Sequence, residues 1–479
     1  MDGDRPRRRG TLNAQAARLF GVSLKMKRER MVVLAMTMAV LLAIGSQAMA
    51  GCRANGATTT QERTMNRGAT IASSAEGFEV VTTLKAWGNN HDGQLGDQTN
   101  GNDRTRPVKV IGLRRAKIEA IAAGASHTLA LKSDGAVLAW GYNRDGELGN
   151  GTNEDNPSPM RVKDFHDPTS HLSGVRAIAA GSAHSLALKD DGTVWAWGYN
   201  QDGELGDGTK ANSTQPVRVG KLKGVEAISA GAYFSLALKE DGTVWAWGSN
   251  ASDLDKTQVT GQLGDDAITS SETPVKVGGL GGGVEAIAAG ASHALALKED
   301  GSVWAWGDNF FGELGDGRTK TNSPEPVRVK DLKGVRAIEG GGWFSLALKE
   351  DGTVWAWGYN QDGELGNGAA ANAKEAKCKN TAQPGDAQVL SSCTNSPTPV
   401  KVSELGGVEA VAAGSAHSLA LKENGTVWVW GSSEQGQLGN GTKTMGTKTL
   451  GINAPLKVKN LGEVKLIAAG LDFSFAGSK

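Results

Sequence analysis

Two short patterns of apolar and polar positions alternate along most of the chain. Ser-Leu-Ala-Leu-Lys at 185–189 and Thr-Val-Trp-Ala-Trp-Gly at 193–198 are examples, and in both the alternation has the two-residue period of a β-strand. Between the two patterns lies Asp134-Gly135, Asp191-Gly192, Asp241-Gly242, Asp300-Gly301, Asp351-Gly352 or Asn424-Gly425. Asp-Gly and Asn-Gly suit the left-handed positions of a tight turn, so each pair of strands is predicted to form a hairpin.

The hairpin is part of a longer unit that recurs. It runs V-x-A-I-A-A-G-x-x-H-S-L-A-L-K-E-D-G-T-V-W-A-W-G-x-N-x-D-G-E-L-G-D-G-T, then a variable stretch, then P-V-x-V-x-x-L-x-G. Gly124, Gly181, Gly231, Gly290, Gly341, Gly414 and Gly470 mark seven copies of its first half. Trp87, Trp140, Trp197, Trp247, Trp306, Trp357 and Trp430 mark seven copies of the second. Six hairpin turns therefore serve seven units. The strand around Val80 to Trp87 has no Ser-Leu-Ala-Leu-Lys before it, and the final stretch at 467–476 has no tryptophan strand after it. Each supplies what the other lacks, and pairing them would close a ring and remove two exposed strand edges. The predicted fold is all-β, a seven-bladed β-propeller closed by pairing of the N- and C-terminal strands. Small Ala and Gly side chains suit strands crowded near an axis, and the tryptophan strand suits the wider part of a blade. Of 13 tryptophans only Trp343 stands outside that strand.

These repeats, WGxNxxGxLG and AAGxxHSLAL, resemble those of the regulator of chromosome condensation family over residues 80–476. The resemblance implies a seven-bladed propeller. One departure is Glu147, Glu204, Glu313 and Glu364 in the DGELG segment, where the family favours the Gln seen at Gln94, Gln262 and Gln437. The founding eukaryotic member is a guanine nucleotide exchange factor for a nuclear GTPase; that activity is the family analogy and is not carried over to an exported chain.

Export is what the N-terminal region predicts. Residues 25–30 read Lys-Met-Lys-Arg-Glu-Arg, and an apolar run at 31–45 leads to Ser-Gln-Ala-Met-Ala-Gly-Cys at 46–52, the three parts of a signal segment. The apolar run is shorter than the ~20 residues of a membrane-spanning helix. Ala48-Met49-Ala50 fits a simple cleavage site, and Met49-Ala50-Gly51-Cys52 resembles the bacterial lipobox with Met in place of Leu. The expected product is lipidated at Cys52; the alternative is a secreted chain in which Cys52 is incidental. Met26 would make a compact start, so residues 1–51 are read as the signal segment, 52–77 as a flexible tether, and 78–479 as the propeller with an insertion at 369–397. Cys378 and Cys393 in that insertion are expected to form a local disulfide outside the cytoplasm, contributing roughly 3 kcal/mol. The whole chain holds 51 basic and 51 acidic side chains, but residues 1–51 hold nine and three, leaving 42 against 48 and a net of −6 beyond them. That balance lacks the basic footprint of a nucleic-acid protein.

Catalytic chemistry has little to stand on. His127, His184, His293 and His417 share one repeat position with Phe234, Phe344 and Phe473; a ligand or general base cannot be exchanged for Phe, whereas a packed ring can. The DGELG carboxylates recur as a turn does. Asn200-Gln201-Asp202-Gly203-Glu204 lacks the alternating acids of a calcium loop, and no nucleophile elbow, P-loop or HExxH string occurs. No cofactor or metal is expected. The position just before the His/Phe residue does vary, as Ser126, Ala183, Tyr233, Ser292, Trp343, Ala416 and Asp472. Packing would favour one residue type throughout, so Tyr233, Trp343 and Asp472, with Ser126 and Ser292, are expected to meet a protein partner on one face near the axis. The segments around Tyr233 and Trp343 are similar to those of secreted bacterial propellers such as β-lactamase inhibitory protein II, which implies the same face. The expectation is a monomeric, exported, lipid-anchored, non-enzymatic protein-binding propeller of the cell envelope. The rival is an enzyme or small-molecule binder that uses the axial pocket and the variable loops at 153–174, 251–260, 369–397 and 441–455.

Overall fold

At each Asp-Gly or Asn-Gly the chain reverses, as at Lys132, whose N–H donates to Ala136 O while Gly135 N donates back to Lys132 O. Gly135 takes the left-handed position at φ 74°, and Asp134 Oδ1 accepts from Ala136 N at 3.2 Å. The loop thus has three residues, a turn closed by a left-handed glycine, and not the two-residue loop that Asp-Gly favours most. The coordinates form a computed structural model that describes residues 80–113, 116–164, 170–251, 258–266, 268–368, 377–379, 395–443 and 449–479. The signal segment, Met26, the tether and Cys52 lie outside them. So do Cys393 and most of the 369–397 insertion, which leaves the Cys378 to Cys393 disulfide outside the described residues as well.

Seven antiparallel sheets result, and every regular element among the described residues is a strand. Blade 1 runs outward through Ile118–Ala123, His127–Lys132, Val137–Gly141 and Asn156–Arg161. Blades 2 to 6 start from Val175–Ala180, Val225–Ala230, Val284–Ala289, Val335–Gly340 and Val408–Ala413. Blade 7 combines Val464–Ala469 and Phe473–Ser478 from one end of the chain with Thr83–Gly88 and Arg104–Lys109 from the other. In that pairing Leu84 faces Gly477 and Trp87 faces Ser474, so the terminal strands close the ring as the repeats predict. From the insertion, the backbone of Lys377–Lys379 adds a fifth strand to the outer edge of blade 6.

Neighbouring blades are joined by one recurring bond. The tryptophan just before the glycine of each such strand is fully buried, and its indole N–H donates across the blade boundary to the backbone carbonyl of the Gln or Glu in the preceding loop. The seven bonds run from Trp87 to Gln437, Trp140 to Gln94, Trp197 to Glu147, Trp247 to Glu204, Trp306 to Gln262, Trp357 to Glu313 and Trp430 to Glu364, at 2.7–3.0 Å. A buried indole with its N–H satisfied supplies a large apolar contact without a desolvation penalty. In blades 2 to 6 the strand carries another tryptophan two residues earlier, and a lysine ammonium sits over its ring, as Lys298 does over Trp304 at 5.0 Å.

Candidate functional site

Around the axis, the turns between the first and second strands of the blades are tied into a closed ring of backbone hydrogen bonds. Ala125 N donates to Ser182 O, Ser182 N to Ala232 O, Ala232 N to Ala291 O, Ala291 N to Gly341 O, Gly342 N to Ser415 O, Ser415 N to Leu471 O, and Leu471 N to Gly124 O, at 3.0–3.3 Å. Main-chain bonds of this kind leave the following side chain free to vary, which is the position singled out in the sequence.

The residue after that one does not vary in role. His127, His184, His293 and His417 are all buried. His127 Nε2 lies 3.0 Å from Ser185 Oγ of the next blade, and His184, His293 and His417 meet Ser235, Ser345 and Ser474 at 2.9 Å. Each serine hydroxyl donates to a backbone carbonyl, as Ser185 does to Glu147 O at 2.9 Å, so it accepts from the imidazole Nε2–H. Burial holds these rings down at about 3, and they are neutral at physiological pH. Phe234, Phe344 and Phe473 fill the same buried position. Gly124 has to be glycine because a Cβ there would lie 2.4 Å from His127 Cε1.

The acidic side chains of DGELG point inward too. Glu147, Glu204, Glu313 and Glu364 are fully buried, and one carboxyl oxygen of each accepts the backbone N–H two residues earlier at 2.8–3.0 Å. Gln94 and Gln437 make the same bond through their amide oxygens. Burial pushes Glu147 up to about 8 and Glu313 and Glu364 well above the ordinary carboxylate range. A neutral carboxylic acid has the shape and the acceptor of glutamine, which explains how Glu replaces Gln in these turns. The loop at 200–204 is organised by Asn200, whose Oδ1 accepts from Leu205 N and whose Nδ2 donates to Thr209 O and Ala211 O. Among the described residues no group of three or more His, Cys, Asp or Glu is arranged to hold a metal ion.

The expected partner positions divide. Tyr233 and Trp343 are half-buried. Tyr233 stands edge-on to Tyr199 of blade 2 at 5.7 Å. Trp343 joins Phe311 of blade 4 at 6.1 Å and Tyr359 of its own blade at 5.8 Å. Phe310 packs on Phe311 at 4.9 Å and is 52% exposed. Half-buried Asp472 accepts from Gln437 Nε2 at 3.1 Å, and half-buried Ser126 stands near the Asp92 carboxylate. Ser292, only 6% exposed, offers a partner almost no surface. The sequence reading missed Phe310, Phe311 and Tyr359. Phe310-Phe311 fills the place that Gln201-Asp202 and Gln361-Asp362 occupy in other copies, and that two-residue change was the available signal.

Comparison with known proteins agrees with this architecture. The RCC1-like domain matches residues 83–476. The ultraviolet-B receptor UVR8 of Arabidopsis thaliana is 30% identical over 63% of the chain and 66% of its own length. The E3 ubiquitin-protein ligase HERC2 of Homo sapiens is 30% identical over 75% of the chain but only 7% of its own length. The chain thus spans less than two thirds of each of these relatives. Among solved structures, Prp20p of Saccharomyces cerevisiae, described with its binding to Gsp1p and histones, superposes with a TM-score of 0.69 at 26% identity, over 85% of the chain and 93% of Prp20p.

Proposed function

The chain belongs to the RCC1-like domain family, and from that premise we propose that it is a non-catalytic scaffold that binds a protein partner through the face bearing the axial turns. The observation that carries this reading is the half-exposed pair Tyr233 and Trp343, set on a main-chain ring where other copies of the repeat carry Ser126, Ala183, Ser292 and Ala416. Aromatic side chains of this kind are common interface anchors. Prp20p, a propeller of similar fold, is described as binding proteins, which supports the same use of the scaffold here. In this reading the chain is exported and held at the envelope through a lipid on Cys52, as the segment ending in Met-Ala-Gly-Cys suggests.

The test is Tyr233→Ala with Trp343→Ala in the full-length protein, followed by affinity capture from envelope extract. Loss of the captured partner with little change in melting temperature supports the face. Unchanged capture by a folded double variant refutes it. Mass spectrometry of the mature N-terminus tests the anchor: a lipid on Cys52 is expected, and an unmodified chain starting at Gly51 refutes it.

A further inference from the structure

On the same face the aromatic cluster runs into a group of carboxylates. Asp362 follows Tyr359 by three residues in the loop of blade 5, Glu434 occupies the corresponding loop of blade 6, and Asp472 sits on the axial turn of blade 7. These groups sense one another. Burial, then the charges of Glu434 and Asp472, push Asp362 up to about 7; burial, then Glu434 and Asp103, push Asp472 up to about 7. The Tyr359 phenol is raised by burial and by Glu364, Asp362 and Glu434, and Asp472 accepts at 3.1 Å from Gln437 Nε2, three residues beyond Glu434 in the same loop. Among the described residues no lysine or arginine pairs with Asp362, Glu434 or Asp472. The nearby Lys443 is taken by Asp103 at 2.6 Å.

The rings themselves do not form a cage. Phe311, Trp343 and Tyr359 stand mutually edge to face, with centroids 4.8, 5.8 and 6.1 Å apart, and rings packed on one another at these distances leave no room for an ammonium between them. They make a platform, which Phe310 extends into solvent, with the Lys320 ammonium 5.8 Å from the centre of its ring. A cation would instead be drawn to the neighbouring carboxylates, where it relieves repulsion that no cationic side chain of the described chain relieves.

We propose that this surface takes a segment of the partner protein in which large apolar side chains cover Phe310, Phe311 and Trp343 while an adjacent lysine or arginine reaches Asp362, Glu434 and Asp472. The proposal rests on the protein-binding reading above and adds the chemistry of the partner. Its basis is charge complementarity: three acids without a cation lie beside an apolar platform, on a chain that is net acidic beyond residue 51.

The test uses the full-length protein and three labelled peptides of equal length, read by fluorescence anisotropy. One peptide alternates Lys or Arg with Leu or Phe, the second replaces its basic residues with Glu, and the third replaces its apolar residues with Ser. The first should bind at least about tenfold more tightly than either control, and its binding should weaken with salt. Combined Asp362→Asn, Glu434→Gln and Asp472→Asn should cost it about tenfold and remove the salt dependence, whereas Phe310→Ser should weaken binding at every salt concentration. If the triple variant does not fold, Glu434→Gln alone, at an exposed side chain, should still reduce affinity and the salt response. Equal binding of all three peptides, or carboxamide variants that match the parent, would overturn the proposal. Capture of the natural partner that fails with Tyr233→Ala and Trp343→Ala but survives the carboxamides would keep the protein-binding face and discard the cationic segment. Self-association abolished by the carboxamides would assign the face to a second copy of this chain and also overturn the proposal.

Discussion

The indole nitrogen of Trp197 lies 2.7 Å from the backbone carbonyl of Glu147 in the preceding blade, and Ser185 Oγ donates to that same carbonyl at 2.9 Å. Ser185 in turn is the group that His127 meets. One loop carbonyl therefore gathers a tryptophan, a serine and, through the serine, a histidine, and a version of this junction recurs around the ring.

Trp197→Phe tests the weight of the junction. Phenylalanine retains most of the apolar surface but donates nothing, leaving Glu147 O with the Ser185 bond only. The expected loss is about 1–3 kcal/mol, read as a lower denaturant midpoint at unchanged slope. A midpoint equal to the parent's would show that the bond contributes nothing net.

The buried glutamates set the alkaline side of stability. A carboxyl whose folded pKa stands above its unfolded value of about 4.3 contributes fully below that value, and the contribution is lost as pH rises toward the folded pKa. For Glu147 the window runs from about 4.3 to about 8. Glu147→Gln, which copies Gln94 and Gln437, is expected to be near neutral at pH ~4 and stabilising by a few kcal/mol at pH ~8 and above. Melting temperature measured against pH decides it; a variant less stable than the parent at high pH would contradict a neutral buried acid.

The histidines act in the opposite direction. Their folded values, near 3, lie below the ordinary value of about 6.5, so stability is present above about 6.5 and lost as pH falls toward 3. His293→Phe, a change the chain already carries at Phe234, Phe344 and Phe473, should fold and should lessen the loss of stability between pH ~6 and ~4. An unchanged acid limb would place the cause elsewhere.

The blade number and the ring closure were legible because they depend on local pattern: Asp-Gly between alternating strands, and two unpaired half-units at the ends. The packing role of the histidines was legible from their exchange with Phe. The composition of the face was less so. Trp343 meets Phe311, and Asp472 meets Gln437, across blade boundaries and 32 and 35 residues apart in the chain, a distance over which periodicity carries no contact information. For the same reason Ser292 looked like surface: its burial depends on neighbouring blades and not on its own turn.

The central claim, that a protein partner sits on the axial-turn face, is tested most directly by site-specific photocrosslinking in the full-length protein. A photoreactive phenylalanine analogue placed at Phe310, which is 52% exposed on that face, should form a discrete adduct with the partner, and the same analogue at Asp241, on the exposed hairpin turn between the second and third strands of blade 3, should form none. Adducts from position 241 with none from position 310 would contradict the account.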